Sequence, residues 1–368
     1  MRLAFVYDRI NKIGGAERVL KALHEIWPQA PFYTAVYSPK RAEFAKGWQI
    51  KTSFLQRIPF ARSHHEIFPW LTPIAFESFS FDDFDLVISI TSAEAKGIIT
   101  KPDTLHVCYC LTPTRYLWSH SKQYLQAAPK WQRQFIKLLT PKLRSWDKVA
   151  AQRPDSYLAI SKNVNQRIKK YYHRDSDVIY PSVDTNFFRP ITDHQSLITS
   201  HFLVVSRLVS YKRIDLAVKA CTKLKLPLVV VGVGNQLSKL KKIAGSTIKF
   251  VGKVTDKELL KLYQSCRALI FPGEEDFGIS PLEAQSTGKP VIAYRAGGAK
   301  ETIIEGKTGE FFDTLSVSSL FSKLESFDST RYNPKLIAHH AANFAEGKFK
   351  TKFKSTIETL WQKHQQSL

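Results

Sequence analysis

The sequence predicts an α/β protein in which two parallel sheets, each covered by helices, follow one another along the chain. Short apolar runs alternate with amphipathic helical stretches, a pattern typical of parallel sheets. The alternation pauses at a proline-punctuated link, 178–190, and then restarts. At 368 residues the chain is long enough for two domains of ordinary size. We therefore predict a first domain over 1–185 and a second over 186–368.

The composition limits the classes of protein that fit. Hydrophobic residues make up 43% of the chain, which indicates a globular protein and not a disordered one. No apolar run approaches the roughly 20 residues that span a bilayer, and the stretch 1–8 is typical of a first strand, not of a secretory signal. The four cysteines form no CxxC pair and no zinc spacing, which favours a reducing cytosol. The net charge of +22 indicates an anionic partner, whether nucleic acid, membrane or phosphorylated ligand.

The first half contains five predicted strands. They are the apolar runs at 3–8, 32–37, 85–90, 105–110 and 156–161. The first run is followed by Gly14-Gly15 and a helical period, an arrangement that favours phosphate at a helix N-terminus but is weak evidence by itself. The fourth run leads into Thr112 and Arg115.

Two segments of the first half combine aromatic and basic residues. Residues 53–81 are rich in phenylalanine and tryptophan, with Arg57, Arg62, His64 and His65 among them, and show no clean period. A second segment, 130–153, predicts a long basic helix with apolar side chains along it. Both can dock on an anionic membrane surface. Core packing for the first and a solvated charged face for the second remain equally compatible with the pattern.

The second half restarts the alternation. Its predicted strands lie at 202–205, within 227–234, where a glycine turn ends the strand, and at 248–252, 268–271 and 291–294. Arg207 follows the first of them, and Lys212 belongs to the start of a helix predicted to open at 211–213. Cations in these positions can grip a diphosphate.

The stretch 269–301 carries the strongest signal. An acidic loop, 274–276, follows a buried strand, and Ser280-Pro281 with Glu283 predicts a helix that opens with a capping box. In an open parallel sheet such loops lie at the carboxyl ends of the strands, where ligands bind. Glu275 and Glu283 are close enough in sequence to reach one ligand, and paired carboxylates suit a polyhydroxylated partner.

This stretch resembles a known family. Glu275-x7-Glu283, with Phe277-Gly278 between them and Gly297-Gly298 after, resembles the donor-sugar motif of retaining GT-B glycosyltransferases of family GT4. The run Glu-Asp-Phe-Gly-Ile-x-Pro-Leu-Glu-Ala-Gln is similar to bacterial mannosyltransferases of polysaccharide assembly. The resemblance covers nearly the whole chain and is most specific over 202–309. It implies the GT-B architecture, two Rossmann-like domains facing across a cleft, with the last helix, about 349–366, packing back on the first domain.

The resemblance also implies roles for individual residues. Arg207 and Lys212 would stabilise the departing diphosphate, and Glu275 would hold sugar hydroxyls. The expected donor contacts are Gly14, Gly15, Gly252, Lys253, Val254, Phe277, Gly278, Ile279 and Glu283, and the acceptor-side residues are Thr112 and Arg115. No cofactor and no metal ion are expected, because protein cations take the place of the metal. The chain departs from the family at Leu111, where relatives usually carry a histidine, and His106 and His120 are the nearby alternatives.

The function implied is transfer of a hexose with retained configuration, by preference mannose from GDP-mannose. The acceptor would be a growing lipid-linked or polysaccharide glycan at the cell surface, such as lipopolysaccharide. The enzyme would work as a peripheral protein on the inner face of the cytoplasmic membrane, with an anionic membrane surface and no nucleic acid as partner. A GT-B nucleotide-sugar 2-epimerase, a basic nucleic-acid-binding protein and a dinucleotide oxidoreductase are the alternatives.

Overall fold

The computed structural model describes residues 1–12, 14–59, 69–127, 129–191 and 201–368. The chain forms two compact units, and both are α/β, as predicted. The first unit contains Met1–Tyr180 and Lys350–Leu368, and the second contains Pro181–Phe349. The chain thus passes from the first unit to the second within the proline-punctuated link, a few residues before position 186.

The first unit is built on a seven-stranded parallel sheet. Its strands are β1 Leu3–Tyr7, β2 Phe32–Thr34, β3 Ile50–Thr52, β4 Leu86–Thr91, β5 Leu105–Cys110, β6 Ser156–Ala159 and β7 Asp177–Val178. Their order in the sheet is β3-β2-β1-β4-β5-β6-β7. The edge strands β3 and β7 were missed by the sequence analysis because each is short and only partly buried. The order reverses between β1 and β4, which pair in register from Leu3 with Leu86 to Tyr7 with Ile90.

The second unit repeats this topology with six parallel strands. They are β8 His201–Val205, β9 Leu228–Val231, β10 Ile248–Gly252, β11 Cys266–Phe271, β12 Val291–Tyr294 and β13 Gly309–Phe312. Their order is β10-β9-β8-β11-β12-β13. The order reverses between β8 and β11, and in a doubly wound sheet ligands bind beyond the carboxyl ends of the strands at such a point.

Helices pack on these sheets. Those of the first unit are α1 Gly15–Ile26, α2 Leu71–Glu77, α3 Ser121–Ala127, α4 Lys130–Ala150 and α5 Lys162–Tyr172. Those of the second are α6 Ile214–Lys223, α7 Leu237–Lys242, α8 Asp256–Ser265, α9 Ile279–Ser286, α10 Ala299–Thr302, α11 Val317–Glu325 and α12 Pro334–Ala341, and α13 Glu346–Ser367 ends the chain. Within the described ranges, every helix is too short or too polar to cross a bilayer.

The last helix, α13, begins in the second unit and continues in the first. Phe353 is fully buried, and its ring packs edge-on against Tyr109 of β5 at 5.1 Å and against Trp27 at 6.3 Å. Lys350 pairs with Glu25 of α1. Aromatic packing and an ion pair therefore attach residues 350–368 to the first unit.

The central strands of both sheets, such as β1, β4 and β11, are apolar and buried on both faces, as expected of parallel sheets under helices. One polar pair interrupts the first core. His106 of β5 is fully buried, and its Nε2 lies 2.8 Å from the Oγ of Ser89 on β4. Burial, with smaller contributions from two arginines, lowers the pKa of His106 to about 3, so the ring is neutral near pH 7. His106 is the second residue of β5 and pairs with Val87, so it lies towards the start of the strand and away from the carboxyl end that Leu111 follows.

Candidate functional site

The candidate site of the second unit lies at the carboxyl ends of β8 and β11, where the strand order reverses. The acidic loop follows β11, and the Ser210–Lys212 turn follows β8. The helix predicted to open at 211–213 begins instead at Ile214, because Arg213 adopts a left-handed conformation with φ of 52°. Lys212 therefore lies in a turn beside the acidic loop, not on the helix.

Lys212 and Glu275 are in direct contact. The Lys212 Nζ forms an ion pair with the Glu275 Oε1, and the two side chains are only 14% and 11% exposed. The two loops also approach closely, since a Cβ on Gly273 would lie 2.8 Å from the Lys212 carbonyl oxygen. A side chain at position 273 would push the loops apart and separate the pair.

The glycine pair 297–298 holds the Glu275 backbone from the other side. The Gly298 N–H donates to the Glu275 carbonyl oxygen at 2.8 Å. Gly297 has φ of 59°, and a Cβ there would lie 2.1 Å from the same oxygen. Glycine is required at 297 for both reasons. The carboxylate is thus fixed between Lys212 and a backbone contact.

Glu283 lies in the second turn of α9, not in a capping box as predicted. The helix begins at Ile279 after Gly278, whose φ is 90°, and no side chain caps it. Pro281 is the third helical residue, still within the first turn, where an N–H has no intrahelical partner. Glu283 is almost fully buried, and its Oε2 accepts a hydrogen bond from the Tyr263 hydroxyl at 2.7 Å.

Arg207 is exposed and reaches the same corner through a tyrosine. Its Nη2 donates to the Tyr211 hydroxyl at 2.6 Å, and the Lys212 Nζ lies 5.4 Å from the centre of the Tyr211 ring. The structure therefore brings the two predicted cations together. Tyr211 was missed as a site residue, although its place between Arg207 and Lys212 in the sequence was the available signal.

The segment 252–254 lies at the carboxyl end of the edge strand β10. Gly252 has φ of 71°, and its carbonyl oxygen accepts from the Gly232 N–H at 2.7 Å. Strand β9 separates β10 from β8. Gly252, Lys253 and Val254 therefore share an edge of the sheet with Lys212 but follow a different strand.

In the first unit, Gly14 is the N-cap of α1 and Gly15 its first residue, without a side-chain cap. Glu17 occupies the first turn, is nearly buried, and accepts from the Tyr7 hydroxyl at 2.9 Å. The Glu17 Oε2 lies beside the N-cap residue Gly14, since a Cβ built on Gly14 would be 3.1 Å from it. The positive end of α1 therefore already faces one carboxylate.

The acceptor-side residues follow β5. Thr112 is buried and donates to the Pro113 carbonyl at 3.3 Å, whereas Arg115 is half-buried. Leu111 is nearly buried, and its N–H donates to the Thr91 carbonyl at 2.8 Å, so it continues the pairing of β5 with β4. His120 lies further along, with its Nδ1 2.7 Å from the Ser119 hydroxyl.

A buried acidic cluster beside these residues was missed. Asp8 follows β1, and its carboxylate accepts from the Thr91 hydroxyl at 2.7 Å and from the Ala95 N–H at 3.0 Å. Glu94 accepts from the Tyr116 hydroxyl, and burial raises the pKa of its carboxyl against an opposing effect of a nearby arginine. Both acids follow strands that the sequence predicts, but what brings them together is the pairing of β1 with β4, which the sequence does not show.

A buried ion pair lies next to this cluster. The Lys96 Nζ lies 2.6 Å from the Asp147 Oδ1, and both side chains are excluded from solvent. Thr114 and Trp118 donate to the same carboxylate, each at 2.7 Å. Burial lowers the pKa of Lys96, but the charge of Asp147 and the hydrogen bond to it, with smaller contributions from Cys110 and Glu94, together hold the pKa above its ordinary value. This pair joins the loop after β4 to helix α4.

In the described part of the chain, no three His, Cys, Asp or Glu side chains come together as metal ligands do. The positively charged groups of the second-unit site are instead Arg207 and Lys212. What the arrangement offers chemically is two carboxylates, two cations and the N-terminal turn of α9, which no side chain caps, at the carboxyl edge of one sheet.

Residues 199–341 match the model of the family described as "Glycosyl transferases group 1". The chain carries a glycosyl transferases group 1 domain. The Lys212–Glu275 pair and Glu283 all lie inside the matched range. The match covers the second unit except for its two ends.

The curated relatives carry glycosyltransferase names, among them two mannosyltransferases and a D-rhamnosyltransferase. The GDP-mannose-dependent alpha-(1-6)-phosphatidylinositol monomannoside mannosyltransferase of Mycolicibacterium smegmatis is 29% identical over 38% of this chain and 44% of its own. The O-antigen chain mannosyltransferase C of Escherichia coli is 28% identical over 48% of this chain and 50% of its own. An uncharacterized glycosyltransferase of Methanocaldococcus jannaschii is 25% identical over 56% of this chain and 57% of its own. The chain therefore spans about half the length of the curated relatives it matches.

Solved structures share the fold over nearly the whole length. Alr3699/HepE of Anabaena in complex with UDP superposes with a TM-score of 0.72 at 16% identity, covering 98% of this chain and 100% of that one. Sucrose-phosphate synthase of Thermosynechococcus elongatus gives 0.71 at 15% identity, covering 98% and 100%. These likenesses confirm the GT-B class, two Rossmann-like parallel-sheet domains. None of the relatives and structures named here favours an epimerase, a nucleic-acid-binding protein or an oxidoreductase.

Proposed function

We propose that this protein is a glycosyltransferase that moves a hexose from a nucleoside diphosphate sugar to a growing glycan. The contact between Lys212 and Glu275 carries the proposal. It places a cation suited to a diphosphate against a carboxylate suited to sugar hydroxyls, at the reversal point of the second sheet. The family match over 199–341 supports it.

The geometry suggests how the site works. Without a donor, Lys212 and Glu275 neutralise each other. A bound donor would give each a new partner, since Lys212 would pair with the phosphates and Glu275 would accept from sugar hydroxyls. Arg207, placed by Tyr211, would add a second positive charge. Stabilising the charge that develops on the departing diphosphate is an electrostatic effect of the kind that dominates many enzymes. Protein cations would take this role without a metal ion.

The finer assignments follow the relatives. Mannose from GDP-mannose is the preferred donor, because the names of two relatives specify mannose and one specifies GDP-mannose. Retained configuration is proposed from the Glu275-x7-Glu283 motif. Glu283 would accept from the ribose, and residues 252–254 would meet the base. Gly14, Gly15 and the Phe277–Ile279 turn would supply backbone contacts, and Thr112 and Arg115 would face the acceptor.

The test is a panel of GDP-, UDP- and ADP-sugars incubated with purified protein in the absence of added metal. We expect selective binding and slow hydrolysis of GDP-mannose, measured by calorimetry and by release of GDP. Selective binding of another nucleotide sugar would keep the glycosyltransferase and replace the donor. A folded protein that binds no nucleotide sugar would contradict the proposal.

We also propose that the enzyme acts as a peripheral protein on the inner, cytoplasmic face of the membrane, with a lipid-linked acceptor. Helix α4 exposes Phe135 by 48% and Leu138 by 70%, one turn apart on one face. Trp70 contacts the Phe135 ring edge-on at 5.4 Å, and Ile74 is exposed one turn beyond Trp70. We call Trp70, Ile74, Phe135 and Leu138 the apolar patch.

Basic residues accompany the apolar patch on α4. They are Arg133, Lys137 and Lys142. At 3.6 residues per turn Lys142 falls on the same face of α4 as Phe135 and Leu138, whereas Arg133 and Lys137 fall on another face. A helix that carries both exposed apolar residues and cations is complementary to an anionic bilayer. Residues 60–68 of the aromatic segment, which include Phe60, Arg62, His64, His65, Ile67 and Phe68, lie outside the described residues.

Removing this surface should release the protein from vesicles. For Lys137→Gln/Lys142→Gln we expect about a tenfold or greater loss of binding to phosphatidylglycerol-containing vesicles, because each lysine near the surface contributes about 1 kcal/mol. Phe135→Ser/Leu138→Ser should weaken binding further by removing apolar contact. The measurement is vesicle sedimentation at fixed ionic strength.

The matched control is Lys239→Gln/Lys241→Gln, which makes the same charge change on α7 of the second unit. It should leave vesicle binding near the original level. Equal losses in both lysine variants would mean that net charge alone drives binding and would contradict a specific surface on α4. Unchanged binding in the α4 variants would contradict it as well.

A further inference from the structure

Tyr263 lies directly beneath the candidate donor site. It belongs to α8, is fully excluded from solvent, and its hydroxyl donates to the Glu283 Oε2 at 2.7 Å. Its ring packs edge-on against Phe188, with 5.7 Å between the ring centres. Phe188 is itself buried. The Tyr263 side chain is therefore held by the packing of its ring against Phe188 and by the hydrogen bond of its hydroxyl to Glu283.

The hydrogen bond from Tyr263 constrains a carboxylate that burial alone would not orient. The terminal torsion of a glutamate is broad, so packing around Cγ does not by itself set the plane of the carboxylate, and hydrogen-bond donors help to set it. A donor on one oxygen fixes that plane, and hydrogen bonds to charged groups are among the stronger ones in proteins. Glu283 is nearly buried, which strengthens the bond further, because little water competes for the same oxygen.

We propose that Tyr263 is a positioning residue for nucleotide recognition. By fixing the carboxylate of Glu283, it sets the geometry in which that carboxylate accepts from the ribose hydroxyls. The site then prefers a ribonucleoside diphosphate over its deoxyribose counterpart. The inference rests on the proposed function, in which Glu283 faces the ribose of the donor. Tyr263 lies on α8, whereas Glu283 lies on α9. In this proposal the Tyr263 side chain acts on the ligand only through Glu283 and does not touch it.

The site would discriminate against deoxyribose because that sugar leaves the Glu283 carboxylate without a hydrogen-bond donor. A carboxylate prearranged for a hydroxyl is left without its donor when a deoxyribose binds, and a buried unpaired acceptor is unfavourable. A carboxylate that has lost one of its donors turns more easily towards other partners, and the penalty falls. Loss of the Tyr263 hydroxyl therefore should reduce selectivity for ribose and weaken ribonucleotide binding, without affecting the phosphate contacts of Lys212.

The experiment uses Tyr263→Phe, which removes the hydroxyl and keeps the ring against Phe188. Binding of GDP, UDP and their 2′-deoxy and 3′-deoxy forms is measured by calorimetry for the full-length protein and the variant. We expect about tenfold weaker binding of the ribonucleotide in the variant, with the deoxy forms little changed. Hydrolysis of the nucleotide sugar at saturation should stay near the original rate, so that KM changes and kcat does not.

Tyr332→Phe is the matched control. The Tyr332 hydroxyl donates to the Glu310 Oε1 at 2.7 Å in the same unit, so the substitution removes a bond of the same kind and length. Glu310 lies on β13, the strand at the opposite edge of the sheet from β10. We expect this variant to bind ribonucleotides and deoxyribonucleotides as the original protein does.

The outcomes separate the inference from the function beneath it. An original protein that binds no nucleotide would overturn both. An original protein that prefers ribose, with the preference unchanged in Tyr263→Phe, would overturn the inference and leave the function standing. Glu283→Gln gives a second test that does not alter Tyr263, because the amide oxygen can still accept from the tyrosine. Retained ribose preference in that variant would also overturn the inference.

Discussion

Replacing Glu275 by glutamine should lower turnover of the nucleotide sugar by about a hundredfold or more, which is the effect of removing one well-placed polar group from an active site. The substitution keeps the size of the side chain, and it leaves the contacts of the residue-275 backbone carbonyl with Gly297 and Gly298 unchanged. It removes the negative charge that pairs with Lys212 and weakens the acceptor for sugar hydroxyls. The measurement is release of the nucleoside diphosphate under saturating donor.

The same variant should not lose affinity for the nucleoside diphosphate. In the original protein Lys212 is neutralised by Glu275, so removing that charge leaves the lysine available to the phosphates. We therefore expect equal or tighter binding of GDP together with the loss of turnover. Lys212→Met should have the opposite effect on affinity and bind GDP more weakly, because it removes the cation that would pair with the phosphates. Glu274→Gln, the same change one residue earlier, is the control and should remain active. Full turnover in Glu275→Gln would refute the assignment.

Breaking the buried pair of Lys96 and Asp147 should produce the largest loss of stability. Lys96→Met leaves the Asp147 carboxylate buried without its cation, and removal of one partner of a buried pair costs about 3–5 kcal/mol. Asp147→Asn should be destabilising for the corresponding reason. The free energy of unfolding is measured by urea titration with a probe in the first unit, since two units need not unfold together.

Two controls sharpen this stability prediction. Lys101→Met removes the cation of a pair with Asp82 in which both side chains are more than half exposed, and exposed pairs contribute less than about 1 kcal/mol. Lys96→Met/Asp147→Leu replaces both charges with apolar groups and should recover part of the loss of Lys96→Met. A Lys96→Met protein as stable as Lys101→Met would contradict the role assigned to the buried pair.

The regular parts of the fold were accessible from the sequence because they depend on local patterns. Central strands buried on both faces are continuous apolar runs, and they were predicted. Three strands were not predicted: the short strands β3 and β13 and the two-residue β7. They form by pairing with a neighbouring strand, and such pairing produces no recognisable pattern within the short segment itself. Ser280 was predicted to cap α9 at its N-terminus. The helix begins earlier, at Ile279, because Gly278 with its positive φ ends the loop.

The candidate site was predictable where spacing within one segment carried it, and less so where distant segments meet. Glu275 and Glu283 were identified from one short stretch. The contact of Glu275 with Lys212 and the hydrogen bond from Tyr263 to Glu283 depend on tertiary packing between elements that are remote in sequence. The buried acids Asp8 and Glu94 were missed because their meeting depends on the pairing of β1 with β4.

The distribution of the cysteines gives the protein a built-in means of following its own unfolding. All four cysteines are buried, reduced thiols, with Cys108 and Cys110 in the first unit and Cys221 and Cys266 in the second. Burial raises the pKa of Cys221 and of Cys266 to about 12, which disfavours the reactive thiolate. A maleimide added to the native protein should therefore react with a cysteine newly placed on the surface before it reacts with these four. Under denaturant, pulsed labelling followed by peptide mapping would record the opening of each unit separately, without a change to the natural sequence.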